Sequence, residues 1–151
     1  MALLFAHHFY PSPTPVWSLF DRPGRPRPVV SVGVFGPANS WVGPALLDTG
    51  SDDTIFTEAV AASIGIDLTN APTGSASGVG MVAAAIRYAE VRLRLSDGVE
   101  FREWPARVGF TSAPVKRALL GFAGFFQFFT ATFDGDREHF ELAVSAIYPG
   151  T

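Results

Sequence analysis

From Val29 onward the chain alternates apolar with small or polar residues in short runs. Val30, Val32 and Val34 are separated by Ser31 and Gly33, and the stretch 36–39 supplies turn chemistry before an apolar run resumes over 41–47. A period of two predicts strands, because successive side chains of a strand point to opposite faces. The same period returns in Ala89, Val91, Leu93 and Leu95, set among Glu90, Arg92 and Arg94, and again over 101–110. Asp97-Gly98 lies between these two runs and predicts a tight hairpin of two long antiparallel strands. Asp134-Gly135 predicts a last hairpin between 130–133 and 139–144.

Helical signals are few. Thr57 is placed to cap a short helix over 58–64, with Val60, Ala61 and Ile64 on one face and Gly65 as its stop. The aromatic segment 122–129 predicts a second short helix. Short strands, regularly spaced turns and one or two minor helices describe an all-β, barrel-like domain over 29–151. Residues 1–28 differ. Pro11, Pro13, Pro15, Pro23, Pro26 and Pro28 recur with Arg22, Arg25 and Arg27, a composition that disfavours helix and central strand alike. This Pro/Arg-rich segment is expected to be an extended N-terminal arm, either a loosely ordered leader or an arm that packs on a partner subunit.

Composition narrows the function classes. The 151 residues suffice for one domain with an ordinary core, and the net charge of -3 lacks the basic stripe that nucleic acid requires. With 48% hydrophobic residues but no apolar stretch near the ~20 residues of a membrane helix, the chain reads as globular and free of membrane partners. Its opening six residues are apolar but lack a basic n-region and run into His7-His8, a poor secretory signal, so a cytoplasmic location is expected. The absence of Cys excludes disulfides, thiol catalysis and Cys-ligated zinc. His7, His8 and His139 make no recognised ligand spacing, so no metal and no cofactor is expected. The phenylalanines of 122–129 read as core or a dimer seam rather than a ligand box.

The candidate chemistry lies in Ala45-Leu46-Leu47-Asp48-Thr49-Gly50-Ser51-Asp52-Asp53-Thr54. An apolar strand runs into one carboxylate, and a small-residue turn follows at once. Such an acid is held rigidly and partly desolvated, and the adjacent Gly lets backbone N–H groups approach it, so its proton affinity can be tuned for acid/base work. This ten-residue run closely resembles the active-site signature of the retropepsin-like aspartic proteases. The resemblance extends over about residues 29–142 and is most specific around Asp48.

The resemblance implies a retropepsin-like acid protease barrel with one catalytic loop per chain, acting as an aspartic endopeptidase on peptide or protein substrates. Asp48 would be the catalytic acid/base, Thr49 would hydrogen-bond across a dimer axis, and Gly50 would give close approach and a carbonyl for the substrate. The Ser51 hydroxyl would reach the outer carboxylate oxygen, and Asp52 and Asp53 would bind substrate main chain. Because the chain has one Asp-Thr-Gly and no internal duplication, the second carboxylate must come from another copy, so a homodimer is implied.

The Gly-rich stretch 74–80 contains no Lys and is followed by a strand pattern rather than a helix, which argues against a phosphate cradle. It is assigned instead to a flap closing over bound peptide, with Gly78, Val79 and Gly80 nearest the tip. Leu119-Leu120-Gly121 resembles the paired apolar residues and Gly that pack beneath the family's catalytic loop. Retroviral members place an Arg next, which braces the substrate loop; here Phe122 stands in its place, with Arg117 as a candidate substitute. That departure motivates the alternative of a noncatalytic module that keeps the barrel for dimerisation or peptide binding.

Overall fold

A computed structural model describes residues 2–76 and 83–151. In chain order the strands are β1 (Leu3–Ala6), β2 (His8–Val16), β3 (Arg22–Arg27), β4 (Val29–Phe35), β5 (Ser40–Leu47) and β6 (Ile55–Thr57). Helix α1 (Glu58–Ser63) follows, then β7 (Thr73–Ala76), β8 (Ala84–Ser96), β9 (Phe101–Thr111), β10 (Ala118–Leu120), β11 (Phe129–Asp134) and β12 (His139–Val144). Single 3-10 turns occupy Trp17–Leu19 and Phe126–Phe128.

Six strands close on themselves in the order β4-β5-β10-β6-β9-β8, and the circuit is completed by β4 pairing with β8. Closure pairs the backbone of every member strand and leaves no long edge to template aggregation. The alternation read in the sequence sets which side chains fill the interior: Val32, Val34, Leu93, Leu95, Trp104, Val108 and Phe110 are all fully buried. The β8–β9 hairpin runs without a break from Ile86↔Thr111 to Ser96↔Phe101 around the Asp97-Gly98 turn. Asp97 fixes that turn by accepting from the Val99 and Glu100 N–H groups, and its other oxygen accepts from Leu4 N–H. Helix α1 starts where Thr57 caps the Val60 N–H, and it buries Val60 and Ala61 against the barrel.

Two pairings are parallel, β5 with β10 and β6 with β9. They bring the end of β5, the start of β6 and the end of β10 side by side at one end of the barrel. This fold is an all-β acid protease barrel.

Two expectations need correction in detail. Residues 122–129 do not form a helix throughout: Ala123 bridges in parallel to Asp53, Gly124 turns with φ of +87°, and only the 3-10 turn Phe126–Phe128 is helical. The early part of the segment is drawn out of helical geometry because its backbone completes the ladder beside β6. The N-terminal segment is extended, as expected, but it is not a loosely ordered leader. β1 pairs antiparallel with β12, Leu3 is fully buried, and Phe5 stacks on Phe140 at 5.2 Å. β2 and β3 form a separate two-stranded sheet, where each strand has a free edge that tolerates proline's missing N–H. Its register is interrupted between Pro11 and Val16, within the stretch that holds Pro13 and Pro15.

Candidate active site

Asp48 follows the last residue of β5 and sits between two strands that fix its backbone. The Leu47 N–H donates to the Pro28 carbonyl at 2.9 Å, and the Asp48 N–H donates to the Leu120 carbonyl at 3.0 Å. Leu47 and Leu120 are themselves buried, so the backbone that presents the carboxylate is anchored in the core. The turn closes with Ser51 N–H on the Asp48 carbonyl at 3.1 Å. The half-buried carboxylate accepts the Gly50 N–H at 3.0 Å through Oδ1. A backbone N–H aimed at a carboxylate fixes its orientation. Thr49 and Gly50 are exposed at the outer surface of the turn.

Beyond the turn, residues 51–54 run beside 121–123 as a short parallel ladder. Phe122 N–H donates to the Ser51 carbonyl, Ala123 N–H to the Asp52 carbonyl and Thr54 N–H to the Ala123 carbonyl, at 2.9, 2.9 and 3.1 Å. Thr54 is fully buried, and its hydroxyl accepts the Gly121 N–H at 3.2 Å. Gly121 is required by this closeness. A Cβ there would lie 2.1 Å from the Asp53 carbonyl oxygen and 2.6 Å from that of Ser51, and backbone on both sides cannot yield as a side-chain tip could. Gly121→Ala is therefore expected to cost about 1–3 kcal/mol and to shift the Asp48 turn. Urea unfolding checks the first effect and peptide turnover the second.

Ser51 differs from its expected role. Its hydroxyl donates to the Asp53 carbonyl at 2.7 Å rather than to the Asp48 carboxylate, because the parallel ladder turns residue 51 towards its own loop. Asp52 is exposed, whereas Asp53 is half-buried and accepts the Tyr88 hydroxyl at 2.8 Å through Oδ2. Arg117 does not stand in for the family's Arg after Gly121: its guanidinium lies over the Tyr10 ring at 4.7 Å. Gly78, Val79 and Gly80 lie outside the described residues. The arms on either side pair antiparallel, from Thr73↔Arg87 to Ala76↔Ala84.

Tyr88 is the site residue that sequence reasoning missed. It comes from β8, binds Asp53 on the candidate loop, and lies so close beneath β7 that a Cβ on Gly74 would meet its hydroxyl at 2.6 Å. The one signal was a break in the alternation, where Tyr88 and Ala89 stand side by side between Arg87 and Glu90; both are half-buried in the fold. Burial first, and then the hydrogen bond to Asp53, push the Tyr88 phenol up to about 12. Between its ordinary value of 10.0 and about 12 the folded chain keeps this proton while the unfolded chain releases it. The stabilisation it gives is complete below pH 10 and is lost as pH rises towards 12. Tyr88→Phe should flatten the alkaline loss of stability in urea unfolding, with a residual slope from Tyr148, whose phenol is also raised by burial.

His7 stacks on Phe140 at 5.8 Å and His8 lies against Tyr10 at 4.9 Å, while His139 is exposed at the start of β12. Among the described residues no group of three His, Asp or Glu side chains is arranged to hold a metal ion. No described helix is long and apolar enough to cross a membrane.

A closed barrel whose strand end presents an Asp-Thr-Gly turn, braced by a second apolar strand ending in Gly, defines the acid protease class. The aspartyl protease family model matches residues 32–122, from β4 through the Asp48 turn to Phe122. The chain belongs to the aspartyl protease family. No curated protein shows significant similarity to it.

Proposed function

We propose that the chain is a retropepsin-like aspartic endopeptidase that works as a homodimer, with the Asp48 carboxylates of two copies meeting on a two-fold axis. The observation that carries this reading is the single Asp48 turn. It is rigidly seated, half-buried and bonded to Gly50 N–H, in a chain that supplies only one such acid.

Two like charges at hydrogen-bond distance repel, so in this reading the two carboxylates hold one proton between them. The ionised partner takes a proton from a water held between them, that water attacks the scissile carbonyl, and the protonated partner donates to the amide. No covalent intermediate forms. Thr49 bonds across the axis to lock the two turns, Gly50 offers its carbonyl, and Ser51, Asp52 and Asp53 line the substrate main chain. Gly78, Val79 and Gly80 close over the peptide as a flap.

Cleavage of a peptide library at mildly acidic pH, followed across protein concentrations with and without pepstatin, tests this reading. Pepstatin-sensitive activity that rises faster than linearly with concentration is expected. A persistently monomeric chain without cleavage would instead support the noncatalytic, peptide-binding alternative.

A further inference from the structure

The β2–β3 hairpin has no task in the chemistry above, yet its construction is specific. Among the described residues its strands pair in a ladder only with each other, and a lone two-stranded ribbon is marginal in water unless something covers it. At its tip Trp17 is 86% exposed and Phe20 is 96% exposed. Phe20 and Asp21 both adopt left-handed backbone, with φ of 53° and 64°. For a bulky residue such as Phe this conformation is costly and persists only where the surroundings impose it. They do so here: Phe20 N–H donates to the Trp17 carbonyl, Asp21 N–H donates to the Val16 carbonyl, and Arg22 pairs with Glu138 on the β11–β12 turn. The two aromatic rings are thus held outward by a fixed frame.

The hairpin's root lies beside the candidate catalytic turn. Pro28, which joins β3 to β4, accepts the N–H of Leu47, the residue before Asp48. If two Asp48 turns meet on an axis, both hairpins leave the body next to it, each carrying a β3 of six residues, about 20 Å long. Charge agrees with a hairpin that meets the second copy. Over residues 8–28, three arginines against one aspartate give +2, which leaves -5 on the rest of a chain of net charge -3. Near the Asp48 turn, Asp52 is exposed, and Phe122 is 60% exposed on backbone bonded to Ser51.

We infer that this hairpin is a dimer clasp: Trp17 and Phe20 of each copy seat against Phe122 of the other, with Arg25 facing the acidic turn. The inference rests on the homodimer reading above and adds to it the element that holds the two copies together. A two-fold arrangement uses both hairpins reciprocally, so each tip substitution is felt twice.

Sedimentation equilibrium of the full chain over a wide concentration range tests it, comparing wild type with Trp17→Ser/Phe20→Ser and with Phe122→Ser. Because these side chains are exposed, circular dichroism and melting of the monomer should be unchanged. The expected result is a dimer in wild type and a dissociation constant raised about a hundredfold or more in both variants, as for truncation of aromatic anchors. A second readout uses the Cys-free background: Phe20→Cys carrying a photocrosslinker should link to the partner's 119–126 segment in mixed isotope-labelled dimers. Equal dimerisation of wild type and variants, or crosslinks confined to one chain, overturns the clasp and leaves the paired-Asp48 reading standing. A wild type that stays monomeric at every concentration overturns both.

Discussion

Asp48→Asn should abolish peptide cleavage, by about a thousandfold or more, while leaving the fold and its melting temperature nearly unchanged. The magnitude follows from the loss of acid/base catalysis, worth about 10²–10⁴ on its own, because the amide can neither accept the water's proton nor return one to the leaving nitrogen. The fold should persist because the backbone around residue 48 is held by Leu47 N–H on Pro28, Asp48 N–H on Leu120 and Ser51 N–H on the Asp48 carbonyl. None of these uses the side chain. The isosteric amide also keeps an oxygen for Gly50 N–H, which now donates to Oδ1 at 3.0 Å. Steady-state cleavage of a fluorogenic peptide, read beside circular dichroism, checks both halves. Cleavage at the wild-type rate would remove Asp48 from the chemistry.

Trp104→Ala should be the most damaging core substitution, at about 3–5 kcal/mol. Trp104 is fully buried on β9 and meets Phe129 edge-on at 4.9 Å, with Phe125 and Tyr148 at 6.1 and 6.2 Å. Through these rings β9 is joined to three residues that follow Gly121. The indole N–H also donates to the Gly124 carbonyl at 2.8 Å, so truncation leaves a buried acceptor unpaired in addition to opening a cavity. Gly124 lies three residues past Gly121, so the loss should reach the ladder that supports the Asp48 turn. Denaturant unfolding should show a lower midpoint, with cleavage reduced even where the chain remains folded. Trp104→Phe, which keeps most of the volume, should recover much of the packing loss but not the hydrogen bond.

The elements that the sequence makes legible are those whose partners are near in the chain. β8 and β9 pair across a turn that Asp97-Gly98 announces, β11 and β12 across Asp134-Gly135, and α1 is marked by its Thr57 cap and its Val60–Ala61 face. Asp48 was legible because the apolar run of β5 ends on it. Pairings between distant segments were not legible. β1 lies against β12, β10 against β5, and β4 closes on β8, and in each case burial against the partner decides the strand. Leu3–Ala6 is apolar throughout, so the inward and outward faces of β1 leave no alternation in the sequence. Prolines in β2 and β3 argued against a central strand and are accommodated because these strands stand at free edges. Tyr88 escaped notice because its meaning depends on Asp53, a residue 35 positions away. The helix expected over 122–129 gave way where Ala123 was drawn into a ladder with Asp53.

Everything in the proposed chemistry depends on two chains each contributing one acid to a shared centre. Subunit mixing tests this most directly: Asp48→Asn chain is added to a fixed amount of wild type, the two are allowed to exchange, and cleavage is measured. Random pairing at equal amounts should lower the activity to about half, and further with excess variant, because each mixed pair lacks one carboxylate. Activity that stays constant at every ratio, while exchange is confirmed by isotope labelling, would contradict the account.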